Sequence, residues 1–369
     1  MKAVYCPYCG GRTKRNGRTS SGSQRWRCTA CGASTTVRYD DAATRLDEFL
    51  GWLLSKDSQA AMPGGGRSFR RRTAEFWEVW PMPVPDGELH RVLYVDGIWV
   101  ARDLVVLICC SGERVVSWYM ARSENSRAWS ALMAPIPAPE VVVTDGGSGF
   151  AKAVRETWPR TRVQRCTFHA FSQVKRYTTT RPKLQAGREL YLIARDLMGI
   201  ETPRQAELWV ERYLDWCGFW ADFLEDGTVV DGRRVYTHER LRRARSSLVS
   251  AGTLFTYLDP ALAKAGPLPS TNNMIEGGVN SQPGAVLRNH RGLTSVKRVK
   301  AVFWWCHAHS GDARTAREKL ATMPTDADID FLFSVYSASP SREDGGPEWG
   351  DRAVWEDLHH RDPYPFWLD

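Results

Sequence analysis

No apolar run in the 369 residues approaches the roughly 18 needed for a membrane-crossing helix, and no apolar secretory segment follows Met1. A membrane location and export are therefore not expected. Cysteines are few and scattered, nine in all, without the dense spacing of a disulfide scaffold, which fits a reducing cytosol. A phosphate-binding loop is missing as well: Gly147 and Gly149 follow Asp145 without any Gly-x-x-x-x-Gly-Lys-Ser/Thr pattern, so ATP dependence is not expected. Basic residues are scarce at one end only. Positions 324–369 hold three Lys/Arg against eleven Asp/Glu, whereas positions 1–72 hold fourteen against five. The net charge of +8 is thus weighted toward the first part of the chain, where it points to a polyanionic partner. With 43% hydrophobic and 25% charged residues the chain can bury a sizeable core and form two or three domains. Most of its sixteen tryptophans sit in periodic apolar stretches and read as core.

Cys6-Pro-Tyr-Cys9 and Cys28-Thr-Ala-Cys31 are two paired-thiol knuckles separated by eighteen residues. Four thiolates at this spacing suit one tetrahedral Zn²⁺. Gly10 and Gly32, one after each pair, relax the backbone turn that aims amides at the sulfurs. The competing reading, disulfides or a redox pair, fits the reducing context less well. So small a module buries little apolar surface, and the metal would contribute most of its folding energy.

Beyond this ribbon (1–38) the pattern over 39–80 is helical in two pieces. The first carries Leu46, Phe49, Leu50, Leu53 and Leu54; the second runs from Ser68 through Phe76, Trp77 and Trp80, after a Pro63-Gly64-Gly65-Gly66 break. Arg67, Arg70, Arg71 and Arg72 crowd the second piece. That suggests a helix-turn-helix-like DNA-binding region; a linker helix with a solvated basic face is the alternative. Pro81, Pro83 and Pro85 form a stiff hinge and a domain boundary.

Three strand-like runs follow, 91–100, 104–110 and 114–120, then a helix over 124–133, a buried strand over 140–145, a helix over 149–158 and a short strand over 162–165. The order β-β-β-α-β-α-β is that of a ribonuclease-H-like mixed sheet. Asp96 lies among apolar residues of the first run and Asp145 ends the fourth, strands that this topology makes neighbours. Carboxylates so placed are costly to bury unless a partner compensates, and Mg²⁺ or Mn²⁺ is the natural one. The plainer alternative is that each caps a glycine turn.

Positions 175–267 show amphipathic helix patterns too long for a connection and read as an all-helical insertion. Its arginines line either a DNA path or a solvated face. After Pro269, Asn272 or Asn273 can cap a helix that holds Glu276 in its first turn, making it a third acidic ligand. Arg288, His290, Arg291 and Lys297, with Arg298 and Lys300 nearby, follow closely enough to meet phosphates of the same DNA. Phe303, Trp304 and Trp305 read as helix packing. The assignment divides the chain into the ribbon, the helical region, a core in two parts (81–174 and 268–315), the insertion, and an acidic tail (316–369).

At Asp96, Asp145 and Glu276 the chain resembles the DDE transposases of bacterial insertion sequences, in the Mutator-like superfamily with a helical insertion before the glutamate. The resemblance covers roughly residues 1–315. Cys166-Thr-Phe-His169 stands where that superfamily has a Cys-x-x-His, and the segment from Asn273 to Gly277 also suits it. The resemblance implies a catalytic triad of Asp96, Asp145 and Glu276 holding two Mg²⁺ or Mn²⁺ ions, cleavage at the 3′ end and strand transfer. It further implies double-stranded DNA at element ends and at the target as partners, at least a homodimer to pair the ends, and a nucleoid-associated cytoplasmic location. Cys166 and His169 are expected to buttress the pocket or contact DNA. A second zinc site would need further ligands, such as Cys306, His307 or His309. A nuclease of the same fold that never joins DNA, and a zinc-ribbon regulator, are the rival readings.

Overall fold

The computed structural model describes residues 4–36, 41–84, 87–112, 114–249, 251–272 and 281–338. Glu276 and the segment around it, with the aromatic residues near the C-terminus, lie outside the described residues.

Strands β1 (Thr13–Arg18), β2 (Gln24–Cys28) and β3 (Ser34–Thr36) form an antiparallel sheet in that order. Their side chains are largely exposed, so the ribbon has almost no apolar interior of its own. Helices α1 (Ala42–Leu53) and α2 (Gly65–Thr73) follow, α2 passing into a 3-10 turn over Ala74–Trp77. Their connection, 54–64, is far longer than the turn of about three or four residues in a helix-turn-helix. Nor do these helices form a separate body. Leu46, Phe49, Trp52 and Phe69 share one buried cluster with Val302, Phe303 and Trp304, and Phe49 meets the edge of Trp77 at 5.0 Å between centroids.

The central sheet is mixed. Strands β4 (Val92–Ala101), β5 (Leu104–Cys110), β6 (Val115–Ala121), β7 (Val141–Thr144) and β8 (Arg162–Arg165) are ordered β6-β5-β4-β7-β8. The first three are antiparallel neighbours; β4 pairs parallel with β7, and β7 with β8. Helices α3 (Ser126–Met133) and α4 (Ser148–Thr157) cover one face with a second apolar cluster, while the later helices over Ser281–Asn289 and Ser295–Ala308 cover the other, with α1 packed into the same cluster through Phe49 against Trp304. Enclosure on both faces explains why β5, Leu-Val-Val-Leu-Ile-Cys-Cys, is a continuous apolar run buried along its whole length.

From β8 the chain enters α5 (Thr167–Thr178), α6 (Gln185–Asp196), α7 (Pro203–Phe219) and α8 (Ala221–Glu225), then β9 (Gly227–Val230), β10 (Arg233–Tyr236), α9 (Glu239–Ser246) and α10 (Pro260–Ala263). The insertion has its own apolar core, built on Leu190, Trp209, Tyr213 and Trp216. The sequence led to the expectation of an all-helical insertion, and the structure corrects it: β9 and β10 pair as an exposed antiparallel ribbon. Its turn is Asp231-Gly232, both with positive φ (49° and 72°), a combination that closes two-residue hairpins.

Helices α11 (Ser281–Asn289) and α12 (Ser295–Ala308) return to the sheet, followed by α13 (Ala316–Thr322) and α14 (Asp326–Ala338). The start of the expected acidic tail is thereby part of the core. Trp80 N–H donates to the Pro324 carbonyl at 2.8 Å, and Asp326 accepts from Trp80 Nε1 and Lys300 Nζ, both at 2.6 Å. No helix among the described residues is long and apolar enough to cross a membrane.

Candidate functional site

Asp96 and Asp145 are brought together by strand register. The parallel pairing of β4 with β7 ends at Tyr94 opposite Val143; continued two residues, it sets Asp145 beside Asp96 on the same face of the sheet. Adjacent strands lie about 4.8 Å apart, so the two carboxyls share one neighbourhood. Each also makes the turn contact of the plainer reading: Asp96 Oδ1 accepts from Gly97 N at 2.7 Å, and Asp145 Oδ1 from Gly147 N at 3.0 Å. Turn capping does not explain the burial. Removal from water pushes the Asp96 carboxyl up to about 7, with the charges of Asp145 and Glu124 adding to the rise and the Gly97 amide and His169 opposing it.

Glu124 is a third carboxylate that the sequence reading overlooked. It stands just before α3, whose N-cap is Asn125, and burial followed by the Asp145 charge raises its pKa. Its Oε1 accepts from Trp99 Nε1 at 2.9 Å. Gly97 makes room for it, since a Cβ there would lie 2.5 Å from that oxygen. An acid just ahead of a helix cap carries no local mark of this role.

Arg165, also overlooked, is buried behind Asp145. Its guanidinium donates to the carbonyls of Asp145 (3.4 Å) and Ser247 and to Gln173 Oε1 (2.9 Å), tying the Asp145 loop to the insertion. Cys166 is the N-cap of α5, its Sγ accepting from His169 N at 3.4 Å. The same sulfur accepts from Asn272 N at 3.1 Å, and Asn272 Nδ2 reaches the Val95 carbonyl at 3.4 Å. The chain is thereby anchored beside Asp96 four residues before Glu276. Cys306, His307 and His309 do not join Cys166: His307 pairs with Asp312 at 2.8 Å, and His309 bonds the Trp305 carbonyl at 2.8 Å. Among the described residues, the metal-ligand cluster of three or more is the Cys6, Cys9, Cys28 and Cys31 group.

Those four sulfurs lie within 4.8 Å of one another, with Cys6 to Cys31 at 3.6 Å and Cys9 to Cys28 at 3.5 Å. A tetrahedral zinc with Zn–S bonds of about 2.3 Å spaces its sulfurs by about 3.8 Å, so the set fits. Gly10 and Gly32 both turn through positive φ, 70° and 73°. The Cys31 and Ala30 amides help hold the Cys28 thiol down to about 6, and the Tyr8 amide lowers Cys6. Cys9 moves the other way under its neighbouring thiols, a repulsion that a central dication reverses.

The two basic groups of the sequence meet in one place. Lys56, Arg70, Arg291 and Lys297 line a cleft of about 620 Å³ between the 52–59 and 70–77 segments and the 289–297 turn. Arg67 and Arg71 are exposed on α2. Arg72 is not presented outward; it is engaged by Glu48, with Nε to Oε2 at 2.8 Å. His290 is likewise interior. Its Nε2 bonds the Leu53 carbonyl at 2.9 Å, its ring lies 4.4 Å from Trp52, and burial keeps it neutral. Lys300 is fully buried and pairs with Asp326. In the insertion, Arg242 and Arg243 are paired with Glu225 and Glu239.

Residues 99–224, from the end of β4 through Asp145, Cys166 and about half of the insertion, match the model of the transposase family named Mutator. The chain resembles an insertion-sequence Mutator-like transposase. It is also similar to the transposase for insertion sequence element IS6120 of Mycolicibacterium smegmatis, 39% identical over 97 residues. That stretch is 22% of this chain and 30% of the relative's length. The Mutator match includes the second aspartate and the Cys-x-x-His pair and stops short of Asp96 and Glu276.

Proposed function

We propose that the chain is a DDE transposase that binds element-end DNA, cuts at the 3′ end and transfers the strand. The observation that carries this is the placement of Asp96 on β4 and Asp145 just after β7, its parallel neighbour, both half-buried, with the charge of Asp145 adding to the rise of the Asp96 carboxyl. Together with the strand order of the sheet, it supports a ribonuclease-H-like core. The donor set is all oxygen, which suits Mg²⁺ or Mn²⁺, and Glu276 is the third carboxylate that the family resemblance implies. Asp96, Asp145 and Glu276 would hold two such ions, which would supply acidification of an attacking water or 3′-hydroxyl and charge compensation at the leaving oxygen.

The remaining groups serve position. Arg165 fixes the loop that carries Asp145, and Cys166 with Asn272 fixes the approach to Glu276. The cleft lined by Lys56, Arg70, Arg291 and Lys297 seats phosphates of the duplex. Zn²⁺ on Cys6, Cys9, Cys28 and Cys31 holds the ribbon folded so that its basic strands add to that contact. Pairing of two ends requires at least a dimer.

The test is a plasmid carrying the element with its flanking DNA, incubated with protein and Mg²⁺. Wild type is expected to cut and join. Asp145→Asn should bind the same DNA and do neither. Hydrolysis without joining would make the protein a nuclease, and intact cutting by Asp145→Asn would remove the aspartate from the catalytic set.

A further inference from the structure

Strand β4 is ten residues long and its partner β7 only four, so among the described residues the stretch after Asp96 runs on with no strand beside it on the β7 side. Trp99 stands on this open stretch. It is 48% exposed, the most exposed tryptophan of the described residues. With Ile98 it lines a cleft of about 400 Å³ whose other wall is Gly284, Leu287, Arg288, Arg291 and Arg298. None of these three arginines forms an ion pair among the described residues. Arg291 also lines the larger basic cleft, so one strip of positive charge runs from α2 to Trp99. The polar edge of the Trp99 indole is already committed to Glu124, which leaves its π surface as what it offers the cleft.

We propose that this cleft is a nucleobase subsite: Trp99 stacks an unpaired base of the DNA strand entering the carboxylate pocket, while Arg288, Arg291 and Arg298 hold the adjoining phosphates. The volume lies in the range of single small-molecule sites. An aromatic face beside arginines is the arrangement that binds single strands without reading sequence. Trp99 lies three strand positions after Asp96, about 10 Å along β4. A stacked strand rises about 3.4 Å per nucleotide, which puts the base about two or three nucleotides from the reacting phosphate. The inference rests on the transposase reading and adds to it a local unpairing of the end.

The experiment uses the full chain and two short fluorescein-labelled duplexes of one sequence, one blunt and one with a single-stranded 3′ overhang, read by anisotropy. Wild type is expected to favour the overhang. Trp99→Ala should lose that advantage, by about 5- to 150-fold, the equivalent of one base stack, while binding the blunt duplex as wild type does. Trp99→Phe, which keeps a ring but loses the bond to Glu124, should retain most of it. Equal binding of both duplexes by wild type, an equal loss on the blunt duplex in Trp99→Ala, or a loss in Trp99→Phe as large as in Trp99→Ala would overturn the subsite. Failure of wild type to bind either duplex would instead overturn the transposase reading beneath it.

Discussion

Replacing Asp96 by asparagine should stabilise the protein in the absence of divalent ions, although the same change removes the proposed cation ligand. The carboxyl titrates at about 7 in the folded chain, against an ordinary value of 3.8. A folded-state pKa above the unfolded value means that the folded protein keeps its proton longer. Stability contributed by the protonated form is whole below about pH 4 and falls as pH rises toward about 7, where the unfolded chain is already ionised. Three units at about 1.4 kcal/mol each give an upper bound of about 4 kcal/mol. Asparagine carries no charge, and its carbonyl oxygen can still accept from Gly97 N. Thermal unfolding of both proteins, in buffer free of Mg²⁺ and Mn²⁺, should therefore show the melting point of Asp96→Asn gaining on wild type from about pH 4 to 7 and levelling off above. At about 2–4 °C per kcal/mol the gain is several degrees. Added Mg²⁺ should raise the wild type and leave the variant unmoved. A difference that is flat with pH, or a wild type more stable than Asp96→Asn at high pH without metal, would refute the reasoning that burial and like charge set this site.

Cys28→Ser should abolish stoichiometric zinc, measured by metal analysis, and unfold the ribbon while the main unfolding transition persists; zinc retained at one per chain would refute the four-sulfur site. Arg165→Met leaves the carbonyls of Asp145 and Ser247 and the Gln173 amide oxygen without their shared donor and should cost about 2–4 kcal/mol. Limited proteolysis of that variant should show earlier cleavage within the insertion, and an unchanged pattern would count against the clamp. Lys300→Ala removes a buried ammonium that holds the Trp77 carbonyl and Asp326 and fills space over the Trp80 ring, at 4.7 Å from its centroid. Urea unfolding should show a loss of about 2–4 kcal/mol, whereas a surface lysine would cost almost nothing.

Periodicity and spacing along the chain already specified the elements and most of the chemistry. The two Cys-x-x-Cys pairs each close through their own glycine turn, a local event, and the structure brings their four sulfurs to one point. Leu104–Cys110 was legible as a strand from composition alone, and Asp96 and Asp145 were legible as acids at the ends of apolar runs. The β9–β10 ribbon carried a local signal too, Asp231-Gly232 between valines, passed over amid helical patterns. What only the tertiary structure decided is which charges face water and which acids meet. Arg72, His290 and Lys300 look like their neighbours Arg71, Arg291 and Lys297 in sequence, yet the first three are engaged inside by Glu48, the Leu53 carbonyl and Asp326. Glu124 joins Asp96 and Asp145 because β6 ends and α3 begins at the end of the sheet where β7 leads into Asp145. A side chain's periodicity is set by its nearest residues in the chain, whereas its burial and its charged neighbours are set by elements that may lie two hundred residues away.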